Sequence, residues 1–257
     1  MSAAEERLAN DPSSELWGEH RSRYRFAIEG SGVSAQGSGA CGLASMTVLD
    51  VACGAGFGLQ MLRQAGACPI GVDYDAGALG EVRRTQFASR LLRGDATRLP
   101  LKTASLDTVV SFETIEHVPD ASALVSEIRR VLKPGGRLVL STPNRAFGPP
   151  ERHTGNPFHV REFTADELRD LLRRCFEDVQ LYGQRPSAAY RYVPFLMLEQ
   201  HNEPSALAWK LLVRLPFGLK NRLALALSGR PFYPGEEDYC FVADACDGAH
   251  ALVAVAL

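Results

Sequence analysis

Residues 48–58 read VLDVACGAGFG: a short apolar run that meets a carboxylate and then loses nearly all its side-chain bulk. The run over 46–52 has the length and apolar content of a buried strand, and GLQMLRQAG (58–66) reads as a helix closed by glycine. Between them, Ala52, Cys53, Gly54 and Gly56 form a turn that lets a ligand lie against bare backbone. The helix start behind it offers unpaired N–H groups. Glycines alone would admit any nucleotide. A dinucleotide-binding loop, however, expects G-x-G-x-x-G with no acid at the strand end, because a carboxylate there repels a pyrophosphate. Here Asp50 stands before the small residues and the spacing is G-A-G-F-G. That arrangement favours a ligand carrying positive charge.

Strand and helix signals alternate outward from this point. PIGVDYD (69–75), RLLRGDA (90–96), LDTVVSFE (106–113), RLVLSTPN (137–144), EDVQLYGQ (177–184) and AHALVAVAL (249–257) read as strands. Helices are expected after Asp75, over DASALVSEIRRVLKPGG (120–136), and over TADELRDLLRRCF (164–176), where Thr164 and Glu167 have capping-box spacing. Such alternation implies right-handed crossovers and a mostly parallel sheet with helices on both faces. The long connection at 185–248 contains SALAWKLLVRLPFGLKNRLALALSG (205–229), which reads as two helices broken near Pro216. We therefore expect a helical insertion before the last strand, within one domain spanning 43–257. Residues 1–42 form an N-terminal helical segment and the flexible connector EGSGVSAQGSGACG (29–42).

Ligands of open parallel sheets bind beyond the carboxyl ends of the strands, and four such ends here carry polar groups. Asp73 follows the second strand and suits a pair of ribose hydroxyls; Asp95 follows the third and suits an exocyclic amine. Glu113, Glu116 and His117 follow the fourth.

The bulk properties narrow the function classes. The 257 residues are 46% hydrophobic and 23% charged, with a formal net charge of −2. Such a chain lacks the basic excess of a nucleic-acid binder. No run reaches the roughly 18 to 20 apolar residues of a membrane helix. The polar, acidic opening MSAAEERLANDPSSE does not read as a signal or transit peptide. Six cysteines without a CxxC pair read as reduced thiols, and a cytoplasmic location is expected.

Taken together, VLDVACGAGFG, GVDYD, LRGDATRLPLKTASLDTVVSFETIEHV and LKPGGRLVLSTPN resemble the class I S-adenosylmethionine (SAM)-dependent methyltransferases of the small-molecule type, over about residues 46–183. The resemblance implies a Rossmann-like α/β fold. Its sheet has seven strands in the order 3-2-1-4-5-7-6, the last antiparallel. It implies SAM as cofactor, with S-adenosylhomocysteine as product. Asp50, Ala52, Cys53, Gly54 and Gly56 would surround the methionine part. Asp73 would hold the ribose, Tyr74 would stack on adenine, and Asp95 and the Ala96 N–H would meet the adenine edge. The backbone of Phe112 and Glu113 would take the amino group. In the family a glycine usually occupies the position of Ala52; the alanine is expected to exclude a positive φ there. GEHRSRYRFA (18–27) resembles a segment that folds over the cofactor, bringing His20, Arg23 or Tyr24 to the SAM carboxylate.

The acceptor is expected to be a small molecule, most simply a sugar or secondary-metabolite hydroxyl. N- or C-methylation, a SAM-binding protein without turnover and a nicotinamide oxidoreductase remain alternatives. An oxygen nucleophile gains from a base of near-neutral pKa, which nominates His159 and His153 in the Gly/Pro-rich loop after the fifth strand. Catechol-type members of the fold hold magnesium through acids and an asparagine. Glu113 and Asn144 occur here without paired aspartates, so no metal is expected. No nucleic-acid or membrane partner is expected, and a homodimer is compatible with the sequence.

Overall fold

The structure is a computed structural model that describes residues 17–30, 42–83, 90–147, 158–187 and 215–257. Its centre is β1 (Thr47–Val51), which pairs in parallel with β2 (Cys68–Asp73) on one side and β4 (Leu106–Phe112) on the other. The sheet extends through β3 (Leu91–Arg93) beyond β2, and through β5 (Leu132–Pro143) beyond β4. The final strand, β8 (Ala251–Ala256), inserts antiparallel between β5 and β6 (Val179–Pro186).

An eighth strand, β7 (Tyr239–Ala243), pairs antiparallel with β6, giving the order β3-β2-β1-β4-β5-β8-β6-β7. The expected sheet of seven strands is therefore a sheet of eight, with the expected order kept in the other seven. The added strand lies inside 185–248, so that connection is not wholly helical. At five residues, with only Tyr239 buried, β7 lacks the alternating pattern that marks a strand in a sequence. Of the two helices expected over 205–229, Phe217–Ser228 is present directly after Pro216; residues 205–214 lie outside the described set.

The residues facing the two sides of the sheet alternate strictly. Leu49, Val109, Leu138, Leu140, Leu252 and Ala254 meet Leu124, Val125 and Ile128 of the helix Ala121–Val131, together with Leu168 and Leu172 of the helix Ala165–Leu172. Val48, Val110, Val139, Val253 and Val255 meet Tyr24 and Ala27 of the helix Trp17–Glu29, and Met61 and Leu62 of Phe57–Gln64. A period of two in each strand puts a helix layer on either face. Asp50 shares the parity of Val48, so it faces the N-terminal helix. In chain order we label the helices α1 (Trp17–Glu29), α2 (Phe57–Gln64), α3 (Ala76–Val82), α4 (Ala121–Val131), α5 (Ala165–Leu172) and α6 (Phe217–Ser228).

Local signals account for the helix ends. Thr164 and Glu167 form the expected capping box on α5, and the Asp120 carboxylate accepts from the Ala123 N–H at 2.9 Å at the start of α4. Helix α4 stops at Val131, three residues before Pro134, because Leu132 already has extended backbone and pairs with Leu106.

Near the sheet edge, the β6 backbone passes close to the 244–249 loop at Gly183. A methyl group there would overlap the Ala245 carbonyl oxygen and stand 2.7 Å from the Ala249 Cβ. Gly183→Ala is expected to lower stability by about 2 kcal/mol or more, read as a fall in thermal midpoint by circular dichroism. An unchanged midpoint would show that this edge yields freely.

Candidate functional site

The carboxyl ends of β1 to β4 surround a cavity of about 670 Å³, within the size range of small-ligand sites. Ala52, Asp73, Tyr74, Asp95, Ala96 and Glu113 line it, whereas Asp50, Cys53, Gly54, Gly56, Phe112, Tyr24 and His20 do not. Thr114 and His117 of the turn after β4 line it too.

The β1–α2 turn is built from left-handed backbone. Ala52 has φ +60, Gly54 φ +53 and Gly56 φ +80. The expectation that alanine excludes a positive φ at position 52 is therefore wrong. Leaving the strand requires that conformation, and the Cys53 N–H on the Val72 carbonyl at 3.1 Å holds the turn in place. An L-residue there carries strain of about 1–2 kcal/mol, tolerated because the neighbouring pairing fixes it. A Cβ at Gly54 would meet no atom within 4 Å, so the turn presents open backbone. Cys53 is buried with Leu59, Leu79 and Leu91, and burial pushes its thiol far above the usual range; it packs and does not react.

Asp73 is held by two backbone donors, Gly54 N–H and Asp75 N–H, each at 2.8 Å. A carboxylate has about four lone-pair sites, so two contacts orient it without saturating it. Asp95 accepts on Oδ1 from the Thr97 N–H at 2.8 Å and the Thr97 hydroxyl at 2.7 Å. These bonds hold it below the ordinary carboxylate range. Tyr74 is 73% exposed at the rim, with the Arg93 guanidinium 5.9 Å from its ring centre. An exposed aromatic face beside a cavity is a stacking surface.

Asp50 lies behind the turn and is 1% exposed. Burial raises its pKa from 3.8 to about 7; the Asp73 charge adds to this and a hydrogen bond from Tyr24 opposes it. The Tyr24 hydroxyl lies 3.1 and 3.0 Å from the two Asp50 oxygens. Burial first, and then the Asp50 charge, keep that hydroxyl protonated and hence a donor. The Tyr24 ring crosses α2 where Gly58 has no side chain, for an added Cβ would overlap the ring. It also meets Phe112 edge-on at 4.8 Å. Tyr24 and Phe112 thus join the site as the wall around Asp50.

Arg23, fully buried, bonds to Glu19, donates from Nε to Gln184 Oε1 at 2.7 Å and sits 3.1 Å from Glu113 Oε1. Burial alone would raise Glu19, but its electrostatic contacts with His250 and Arg23 outweigh it and hold Glu19 well below its ordinary value. Burial, with the Arg23 charge, lowers His20 to about 4 and keeps it neutral. Glu113 itself has φ +48, with its carboxylate accepting from the Ser141 hydroxyl at 2.8 Å. The buried Arg23 network is the part that sequence reading missed. Arg23, Gln184 and His250 lie far apart in the chain, and only β6 and β8 bring them together.

Of the two candidate bases, His159 lies beside His117, ring centres 4.9 Å apart, while His153 falls outside the described residues. Asn144 donates to the Cys246 and Ala249 carbonyls at 3.0 and 2.9 Å, so it clamps the β8 entry and does not face the cavity.

Residues 49–140 match the family model described as a methyltransferase domain. A Mycolicibacterium smegmatis protein named as an S-adenosylmethionine-dependent methyltransferase is 41% identical over 138 residues, covering 53% of this chain and 54% of that protein. A ubiquinone biosynthesis O-methyltransferase of Azoarcus is 37% identical over 159 residues, covering 60% of this chain and 64% of that one. A SAM-dependent methyltransferase structure from Thermotoga maritima superposes with a TM-score of 0.59 at 18% identity, covering 94% and 90% of the two chains. This last likeness is one of fold. The chain spans about half the length of the mycobacterial relatives it matches.

The Asp50 environment sets a pH dependence. Its folded pKa lies above the unfolded value, so its contribution to stability is full below pH 3.8 and is lost as pH rises toward 7. Asp50→Asn removes that loss. The stability difference, variant minus wild type, is expected to grow from pH 4 to 7 in chemical denaturation and then level off. A difference independent of pH would mean that Asp50 is not titrating there.

Proposed function

We propose that this chain, whose residues 49–140 match a methyltransferase domain model and whose relatives include proteins named as SAM-dependent methyltransferases, transfers the methyl group of SAM to a hydroxyl of a small-molecule acceptor, a sugar or secondary metabolite. SAM is the cofactor of that domain family. When bound, it supplies an electrophilic methyl on a sulfonium. The acceptor oxygen forms its bond to that carbon as the carbon–sulfur bond breaks, the electron pair passing to sulfur to leave neutral S-adenosylhomocysteine.

The observation that carries this reading is the charge plan of the cavity. A buried carboxylate, Asp50, stands behind an open backbone turn, and a second, Asp73, is oriented by two N–H donors. Two acids one strand apart repel an anion and attract a cation. The donor set fits an adenosine bearing an ammonium and a sulfonium. In this plan Asp73 takes the ribose hydroxyls, Asp95 and Ala96 the adenine edge, Tyr74 the adenine face, and the turn 52–56 the methionine part. Glu113, tied to Arg23 at 3.1 Å, fixes the wall where the amino group lies. Asp50 draws Tyr24 and α1 over this end, so α1 helps to exclude water from the reacting centre.

The acceptor hydroxyl has to lose its proton in the reaction; His117 lines the same cavity, and His159 stands beside it with ring centres 4.9 Å apart. His159 serves that activation in our reading. The hydroxyl acceptor is supported further by the O-methyltransferase named among the relatives.

Asp73→Ala is expected to weaken SAM binding about tenfold or more in calorimetry, as a charged hydrogen-bond acceptor is worth roughly 1.5–3 kcal/mol. His159→Ala is expected to lower turnover with little change in SAM affinity; full turnover would remove His159 from the activation step. The function itself is tested by incubating the protein with SAM and pooled hydroxylated acceptors under mass-spectrometric readout. A mass gain of one methyl group on an acceptor oxygen is expected. Tight NAD binding with no response to SAM would overturn the reading.

A further inference from the structure

Beside the cavity, at the turn after β4, three side chains converge. Glu116 and His117 lie in the 3-10 turn Ile115–His117 after β4, and His159 comes from the segment entering α5. Each offers one ligating atom, and these atoms all lie within 4.8 Å of one another. Glu116 is 0% exposed. Its Oε2 accepts from the Thr142 hydroxyl at 3.0 Å, while Oε1 is buried without a hydrogen-bond partner among the described residues. A lone buried carboxylate oxygen is costly unless a cation or donor meets it.

Both imidazoles are oriented for the same task. His117 Nδ1 lies 3.1 Å from the Phe158 carbonyl oxygen, and His159 Nδ1 lies 2.8 Å from Glu162 Oε1. Each of these oxygens accepts, so Nδ1 carries the proton in both rings and Nε2 is the basic nitrogen. Metal-ligating histidines are held in this way, one nitrogen on a carbonyl or carboxylate and the other toward the ion. The backbone supports the turn from the same side: the Glu116 carbonyl accepts from Val160 N–H at 2.8 Å and Arg161 N–H at 3.1 Å. Glu116 thereby fixes the segment that delivers His159.

From this convergence we propose that Glu116, His117 and His159 bind a divalent transition-metal cation, with positions left open toward the cavity for an acceptor oxygen. Two imidazoles and one carboxylate suit zinc, manganese or iron(II) more than calcium, which takes oxygen ligands. Bonds of about 2.0–2.2 Å place ligand atoms roughly 3–3.5 Å apart, so small side-chain rotations close the shell. His117 also lines the cavity, which puts the ion's open side beside the SAM site. The expectation of a metal-free site gives way to this reading. It does so on residues other than the acids and asparagine considered first, since Asn144 is occupied by backbone carbonyls.

The ion's role toward an acceptor rests on the methyltransferase reading. A hydroxyl on such a cation would have a lowered pKa and a fixed direction, releasing its proton to water, and His159 would then act through the metal rather than as a free base. Ion binding itself is independent of that reading and is tested without turnover. Chelator-stripped full-length protein is titrated with Co2+, following its visible ligand-field absorption, and then with Zn2+ in competition. We expect saturation at one Co2+ per chain and displacement by Zn2+. Affinity should fall about tenfold or more in His117→Ala and in His159→Ala, a loss at least the size of outer-shell effects. SAM titrated into the same variants reports whether they fold. If they do not, Cu2+ added to the wild type should show coupling to two imidazole nitrogens in electron paramagnetic resonance. No saturable absorption, binding unchanged in the double histidine variant, or coupling to fewer than two nitrogens overturns the site. SAM binding without metal binding would sink this inference and leave the methyltransferase reading intact; the reverse result would do the opposite.

Discussion

A carboxylate taken out of water at the end of the central strand governs this structure. Asp50 has the parity that points away from α4 and α5, so it has to be satisfied on the α1 and α2 side. Tyr24 supplies the hydrogen bond, at 3.0 and 3.1 Å. For its ring to reach the carboxylate, α2 has to carry glycine at 58, and Phe112 has to stand edge-on beside it. The first helix is thus positioned by an acid on the first strand. Arg23, one residue earlier, then links the same helix to Glu113 at the end of β4 and to Gln184 on β6. One buried charge therefore organises a helix, two strand ends and the rim of the cavity.

That organisation has a chemical consequence. Around the β1–α2 turn the negative groups Asp50 and Asp73 lie close enough to raise the pKa of the former. A ligand with positive charge relieves both. Beyond β4 the chain changes character, and two imidazoles with a buried carboxylate follow the acids of β1 to β3. In the proposed function the first group serves a cationic donor and the second the activation of an acceptor.

Much of this was legible in the sequence because it is local. The strand that ends in Asp50, the turn of small residues, Asp73 and Asp95 on later strand ends, and the Thr164–Glu167 box all sit within short windows. What was not legible depends on distant partners. The left-handed Ala52 runs against residue preference and is fixed by pairing to Val72. Strand β7 draws its pairing from the edge of β6, not from its own five residues. The Arg23 network joins Arg23 to Gln184, 161 positions away, and Gln184 gives no sign in the sequence of receiving an arginine. Glu116 and His117 were visible as a pair, but their convergence with His159 needs the turn that the Glu116 carbonyl holds against Val160 and Arg161.

The central claim, that Asp50 anchors a cationic SAM site, is tested most directly by calorimetric titration of SAM at pH 7 in two buffers of different ionisation enthalpy. With a free-state pKa of about 7, Asp50 is half protonated there, so binding is expected to release about half a proton, absent in Asp50→Asn. Heats identical in the two buffers, or the same release from the Asp50→Asn variant, would contradict it.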